Sequence, residues 1–505
     1  MGKLVVAAIT SLWAIPMAII VNSIVPEPYM DEIFHVPQAQ QYCKGNLRSW
    51  DPMITTPPGL YYLSLAHVAS LLPGMFLTRH IRSFSEACST SVLRSTNSVL
   101  AVFCSVLVYE IITFLRPNLN DRTVTSMAAV LTLYPLHWFF TFLYYTDVAS
   151  LTAVLAMYLT CLKKKYKLSA LLGTLAVFIR QTNVIWMLFA VCSGVIDITL
   201  SGVRDREEIH ESSQEKNQPP NSKGATMRSN LRKRKSNGFQ DMRNHYIRNR
   251  STLENGGLFY EVQALISRTW SMKWRLLVNF SPFIAVVIAF GAFILWNGGI
   301  VLGAKEAHVV SLHFAQMMYF SLVSALFTAP LHFSLDQVRN LLREIQRNGI
   351  VSLAFSIVAL AAGFISVHFF SLAHPYLLAD NRHYTFYTWR KIINAHRSMK
   401  YLLVPLYVYS WFSALSLLGK TQRKTWVLAY FLCTCAVLVP APLIEFRYYT
   451  IPFYIFVLHS GVSNFRTWLL TGAIFLCINV FTMAMFLFRP FQWSHEHGGV
   501  QRFIW

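Results

Sequence analysis

From Leu4 to Val25 the chain carries no charged side chain, and a helix of that length reaches across the hydrocarbon core of a bilayer. Predominantly apolar runs recur at 93–115, 124–144, 146–162, 168–200, 276–296, 314–331, 349–371, 399–418, 425–443, 449–463 and 467–488. In lipid, only helices and closed barrels satisfy every backbone polar group, and these runs exceed the roughly ten residues of a barrel strand. The expectation is an all-α polytopic membrane protein with about 12–14 crossings. The first run is long enough to span and no convincing small-residue cleavage site follows it, so it reads as an uncleaved anchor.

Charge sets the orientation. Lys and Arg number 44 against 23 Asp and Glu, a formal net charge of +21, although only 13% of residues are charged. In a soluble chain that excess would suggest nucleic acid. Here it gathers in short loops: Arg116 and Arg122, the run Lys163–Lys167, Arg339, Arg343 and Arg347, then Lys420, Arg423 and Lys424. Basic loops face the cytoplasm, so the charge is read as topology and no nucleic-acid partner is expected. The alternate loops (26–92, 144–147, 297–313, 372–398 and 445–449) then face the lumen or exterior, and they hold nearly all the polar residues able to do chemistry.

The chain divides into 1–92, a first span and a long lumenal loop with amphipathic helices; 93–200, further spans; 201–275, a disordered basic cytoplasmic loop around Arg232-Lys233-Arg234-Lys235; and 276–505, the C-terminal spans with their lumenal loops. Arg180-Gln181-Thr182-Asn183 interrupts 168–200, which is either two short helices or a re-entrant element. The sequons at Asn249 and Asn279 fall on or beside the cytoplasmic side and should stay unglycosylated. Of the eight cysteines, only Cys43 and Cys88 lie where they are free to pair outside the bilayer, and the sequence leaves open whether they do.

The strongest site candidate follows the first span: Pro26-Glu27-Pro28-Tyr29-Met30-Asp31-Glu32-Ile33-Phe34-His35. An acidic pair beside a His at a membrane boundary can supply a general base; it can equally cap a helix N-terminus. Metal chemistry is not expected, because His308 with His313 and Cys433 with Cys435 lack ligand spacing, and His495-Glu496-His497 reads as a solvated tail. No phosphate-binding loop or dinucleotide fingerprint appears, so a nucleotide sugar is not the expected donor.

An Asp-Glu pair directly after the first transmembrane helix, in a long first lumenal loop, resembles the GT-C glycosyltransferases that use polyprenyl-phosphate sugars. The strings Tyr29–Gln40 and Trp50-Asp51-Pro52-Met53-Ile54-Thr55-Thr56-Pro57-Pro58-Gly59-Leu60-Tyr61 narrow the resemblance to the dolichyl-phosphate-glucose-dependent alpha-1,2-glucosyltransferases that cap the lipid-linked oligosaccharide. Tyr144–Asp147, Arg180–Asn183, His313-Phe314, Asn381–Tyr384, Glu445–Tyr449 and Gln501–Trp505 agree with it. The 201–275 insert matches nothing, and Ala304 stands where Gly-Asp-Lys is expected, which leaves Lys305 as the candidate there.

The resemblance implies inverting transfer of a terminal alpha-1,2-linked glucose from dolichyl-phosphate-glucose to Glc2Man9GlcNAc2-diphosphate-dolichol, in the endoplasmic reticulum membrane with the active site facing the lumen. Dolichyl-phosphate-glucose is then a substrate and no cofactor is required. Asp31 is expected as the base, with Glu32 orienting the acceptor or the helix. Arg382 with His383, Arg447 and Lys305 are expected at the donor phosphate, Arg382 leading because Asn381, His383 and Tyr384 add donors beside it. His35, Asp51, Tyr61, Asp147, Arg180, Gln181 and Glu445 are expected at the acceptor or in support, with Arg180 able to pair with Asp147. The alternatives are a mannose-using sister enzyme, a transporter or scramblase with its charges at the bilayer midplane, and a non-catalytic membrane partner.

Overall fold

The computed structural model describes residues 1–79, 81, 83–201, 257–462, 464–493 and 499–505. Among these the chain is helical, and its only β pairing is two isolated bridges, His383 with Ile504 and Phe491 with Gln501. The first half runs α1 (Gly2–Ile24), α2 (Glu32–Cys43), α3 (Gly59–Arg79), α4 (Phe84–Ala87), α5 (Thr90–Leu115), α6 (Asp121–Thr132), α7 (Pro135–Phe140), α8 (Thr146–Leu162), α9 (Tyr166–Ile179) and α10 (Asn183–Ser201). The second runs α11 (Leu258–Ser271), α12 (Lys273–Asn297), α13 (Ala315–Phe327), α14 (Ala329–His332), α15 (Leu335–Phe369), α16 (Pro375–Ala379), α17 (Tyr384–Thr388), α18 (Met399–Leu402), α19 (Val404–Gly419), α20 (Lys424–Leu438), α21 (Thr450–His459) and α22 (Phe465–Phe488). Eight helices are long and apolar enough to cross a membrane, and α8, α9, α13 and α20 are shorter apolar helices. The protein is an all-α, multi-pass membrane protein.

Burial separates lipid-facing from bundle-facing helices. α12 buries only Leu276, Phe280 and Phe283, while Leu295 and Trp296 are more than four-fifths exposed, as side chains solvated by lipid would be. α8 lies at the other extreme, with nearly every residue buried. α15 is broken at Gly349, whose φ of 51° leaves the helical region. The polar break at Arg180–Thr182 is a junction of two helices, α9 and α10, which settles the choice left open above.

Polar contacts collect at two ends of the bundle. At one end Lys3 and Lys163 flank Glu110 at 3.7 and 2.9 Å, Lys164 faces Asp197 at 3.7 Å, and Arg116 donates to the carbonyls of Leu458 and Val462 near the end of α21. The other end carries the α1–α2 turn, the α9–α10 junction, the loops after α12 and α15, and the last residues of the chain, Tyr29 being bonded to Arg502. We call this second end the site face.

A disulfide joins Cys43 at the end of α2 to Cys88 just after α4, so the first loop is closed on itself. It also places α3: that helix is apolar enough to span, yet α4 packs against it and the chain is back at α2 by Cys88, so α3 lies on the site face and does not cross. The expected disordered stretch 201–275 needs one correction. Asn249 and the basic cluster lie outside the described residues, but Leu258–Ser271 is a helix. Leu258, Phe259, Ile266 and Trp270 give it an apolar side, and Glu261 anchors it by accepting from the Thr425 backbone N–H at 3.0 Å; that side outweighs the polar composition of the surrounding window.

Candidate active site

The turn between α1 and α2 separates the two carboxylates. Met30 takes a left-handed φ of 56°, a conformation costly for a side chain of its kind and held only where the surroundings determine it. Beyond it, Glu32 points into the bundle and Asp31 points along the site face.

Glu32 is fully buried. Its Oε1 accepts from Arg94 Nε at 2.8 Å and from the Tyr144 N–H at 2.5 Å; its Oε2 accepts from Arg94 Nη2 at 2.6 Å and the Tyr29 N–H at 3.0 Å. Arg94 spends its remaining donors on Asn22 Oδ1 and the carbonyls of Val25 and Glu27. A guanidinium has five N–H donors, so Arg94 is saturated and binds α1, the turn, α2 and α5 into one unit. No part of the Glu32 carboxylate is left for a substrate. Arg94 is absent from the expected site because it sits at the head of an apolar run; its signal was there, since a charge in such a run calls for a partner.

Asp31 occupies the helix cap position but makes no capping hydrogen bond with its side chain. Its backbone N–H donates to the Tyr145 hydroxyl at 3.1 Å, and its Oδ2 accepts from Arg447 Nη1 at 3.0 Å. The side chain keeps 43% of its surface open although it is ion-paired. Burial pushes the Asp31 carboxyl up, but the Arg447 guanidinium, aided by His35, outweighs it and holds the group below its ordinary value. Burial holds the His35 imidazole below its usual range against the opposing pull of Asp31, and its Nδ1 is 2.7 Å from the Tyr61 hydroxyl.

Arg447 is the hub. It contacts Glu445 through Nε at 2.8 Å and Nη2 at 2.6 Å, lies 3.9 Å from Asp147 Oδ2, and rests over the rings of Phe140 and Tyr145. Asp147 pairs with Arg180 at 3.1 Å, and Arg180 also donates to Thr146 Oγ1. Asp31, Asp147 and Glu445 thus share two guanidinium groups, in a buried setting where such pairs must satisfy one another.

The other expected residues stand around this network. Gln181 donates to the Thr55 carbonyl at 2.8 Å, fixing the Thr55–Gly59 loop against the α9–α10 junction; a Cβ on Gly59 would lie 2.5 Å from the Phe178 carbonyl oxygen, so only glycine allows that approach. Tyr61 is buried beneath His35 and packs edge-on against Tyr42 and Trp50. Asp51 accepts from the Met53 N–H and so closes its own turn. Lys305 donates only to Asn297 and has no carboxylate partner among the described residues. Its loop is held to the first one, Leu302 and Ala304 N–H groups donating to Thr55 and Pro52.

Arg382 is bidentate to Asp380 at 2.9 Å on both oxygens, donates to Gln501 Oε1, and stacks on Trp493. Its charge is thus neutralised by Asp380, the residue just before the Asn381–Tyr384 run. His383 lies within electrostatic reach of Asp31; its Nε2 is 3.7 Å from Asp380 Oδ2, and its Nδ1 is 3.0 Å from the Trp505 carbonyl oxygen. Ile504 completes this clasp, donating to the Arg382 carbonyl and accepting from the Tyr384 N–H. Among the described residues, no three His, Cys, Asp or Glu side chains are grouped to hold a metal.

This arrangement, a partly exposed carboxylate held ionised with guanidinium and imidazole groups beside it at one end of a membrane bundle, can accept a proton from an attacking hydroxyl. Residues 25–458 match the model of the DIE2/ALG10 family. An Arabidopsis thaliana protein named Dol-P-Glc:Glc(2)Man(9)GlcNAc(2)-PP-Dol alpha-1,2-glucosyltransferase is 73% identical over the whole of both chains. Proteins of the same name from Rattus norvegicus and Homo sapiens are 35% and 34% identical, each over 95% of this chain and 93% of its own length. No solved structure matches. The chain belongs to the DIE2/ALG10 family.

Proposed function

We propose that the protein transfers glucose from dolichyl-phosphate-glucose to the 2-hydroxyl of the terminal glucose of Glc2Man9GlcNAc2-diphosphate-dolichol, in the endoplasmic reticulum membrane and on its lumenal side. The observation that carries this reading is the Asp31–Arg447 pair, whose carboxylate side chain stays 43% exposed, in a chain whose full-length relative at 73% identity bears that activity as its name. Lumenal orientation is supported by the Cys43–Cys88 disulfide on the site face, because disulfides persist in oxidising compartments. The basic loops at the opposite end support it as well.

The acceptor hydroxyl attacks C1 of the donor glucose as the C1–O bond to phosphate breaks, the configuration inverts, and dolichyl phosphate leaves as the anion. Asp31 takes the hydroxyl proton. A carboxylate held ionised is a weak base, but the hydroxyl becomes strongly acidic as its bond to C1 forms, so proton transfer late in the step suffices. Glu32 holds the turn and touches neither substrate. Arg447 and His383 serve the departing phosphate, and so does Lys305, a cation with no carboxylate partner among the described residues. Arg382 positions the 380–384 segment through Asp380.

The test is purified protein supplied with dolichyl-phosphate-glucose or dolichyl-phosphate-mannose and the diglucosylated acceptor, with the product linkage determined. Glucose added in alpha-1,2 linkage is expected; transfer of mannose, or of neither sugar, overturns the proposal.

A further inference from the structure

Between Asp380 and Glu445 the sequence has no acidic residue. Within that stretch Arg390, Lys391, Arg397 and Lys400 cluster on the site face. Arg390 and Lys391 belong to a single π-helical turn, Trp389–Ile393, and α18, which carries Lys400, packs against that turn. Arg390, Lys391 and Arg397 are exposed. Arg390 lies over Phe386, Lys391 over Tyr387 and Lys400 over Tyr401, and none of the four meets a carboxylate among the described residues. Tyr401 also packs against Phe364 and His368 at the end of α15, which puts the cluster at the level where a spanning helix leaves the membrane.

On the opposite end of the bundle such a cluster would follow from topology alone. On the site face the positive-inside tendency predicts the reverse, so these cations answer to something else at the membrane surface. The donor phosphate does not fit, because it is bonded directly to the reacting carbon and must lie beside Asp31 and His383. Along the helical rise Lys391 is about 12 Å beyond His383. The second substrate carries phosphates as well, separated from its reacting hydroxyl by the whole oligosaccharide and tethered to the same bilayer by its polyprenyl chain.

We propose that Arg390, Lys391, Arg397 and Lys400 form a seat for the diphosphate of the polyprenyl-linked acceptor. The proposal rests on the transfer reaction proposed above. Held there, the acceptor is docked at its lipid end while its glucose end reaches Asp31, so the enzyme selects a membrane-anchored glycan as well as a terminal sugar.

The experiment replaces the four by Gln in the full-length protein and compares two acceptors bearing the same diglucosylated glycan, one on polyprenyl diphosphate and one on a phosphate-free alkyl chain. KM for the diphosphate acceptor is expected to rise about tenfold or more, as for at least one lost charge-assisted contact, with KM for the donor and use of the phosphate-free acceptor as in wild type. A variant that exchanges Arg and Lys at the four positions should keep most of the affinity. Equal losses with both acceptors, a raised donor KM instead, or a loss that follows the anionic phospholipid content of the vesicles would overturn the seat. If wild type transfers to neither acceptor, the reaction itself is wrong; direct binding of polyprenyl diphosphate to wild type and variant then judges the seat separately, equal binding refuting it.

Discussion

Asp31 and Glu32 are neighbours in sequence with opposite fates, and the difference is decided by what each oxygen already holds. Removing one partner of a buried ion pair leaves an unpaired charge at a cost of roughly 3–5 kcal/mol, so Arg94→Met should lower the melting temperature and yield of the purified protein sharply. Arg447→Gln should act on chemistry: without the guanidinium, burial dominates and the Asp31 carboxyl rises. Because the folded carboxylate is held below its ordinary value, the acid limb of kcat/KM in wild type lies low, and the limb in Arg447→Gln should move to higher pH. An unmoved limb in that variant would show that Arg447 does not set the ionisation of Asp31. The sequence marked the acidic pair and singled out Asp31 as the expected base; what holds each carboxylate was not legible, because that depends on Arg94 and Arg447, far away along the chain.

At the scale of elements, the α1–α2 turn is fastened from three directions: by Arg94 beneath it, by the disulfide at the far end of α2, and by the C-terminal segment. Closing a loop of sequence separation 45 removes unfolded-chain entropy worth about 4 kcal/mol in the loop-entropy model, so Cys43→Ser should destabilise the protein without altering donor KM in the molecules that remain folded. The Tyr29 hydroxyl donates to the Arg502 carbonyl and accepts from its N–H, both at 2.7 Å. Tyr29→Phe therefore frees the clasp that holds His383 near Asp31, and kcat should fall more than thermal stability, a split that differential scanning fluorimetry beside initial rates would resolve. The polar interruption at Arg180–Asn183 was readable in the sequence, though not which of its two forms it takes. The clasp was not, because a short terminal segment with two isolated bridges leaves no periodic pattern, and Arg382 looked free because its partner Asp380 stands just outside the run that attracted attention.

At the scale of the whole molecule, two polar ends separated by an apolar bundle were legible from hydropathy and from the spacing of Lys and Arg alone. The limits of the 201–275 insert were not, since charge density over a wide window hid the apolar side of Leu258–Ser271. Nor was the path of α3, whose composition fits a span and whose course is fixed by a disulfide that the sequence left open. Orientation follows from the account as a test: a cysteine introduced beside Lys163 should react with an impermeant maleimide added from the cytoplasmic side of sealed microsomes, and one beside Lys305 should react only after permeabilisation. The reverse pattern would put Asp31 on the wrong side for a lumenal donor.

The most direct measurement is the rate of glucose transfer from dolichyl-phosphate-glucose to the diglucosylated lipid-linked acceptor by wild type and Asp31→Asn, purified and matched for melting temperature. The account predicts transfer by wild type and a loss of about 10²–10⁴-fold in the variant with its fold intact, the usual worth of a general base. Transfer by Asp31→Asn at a rate near that of wild type would contradict it, and would move the proton acceptor to another group on the site face.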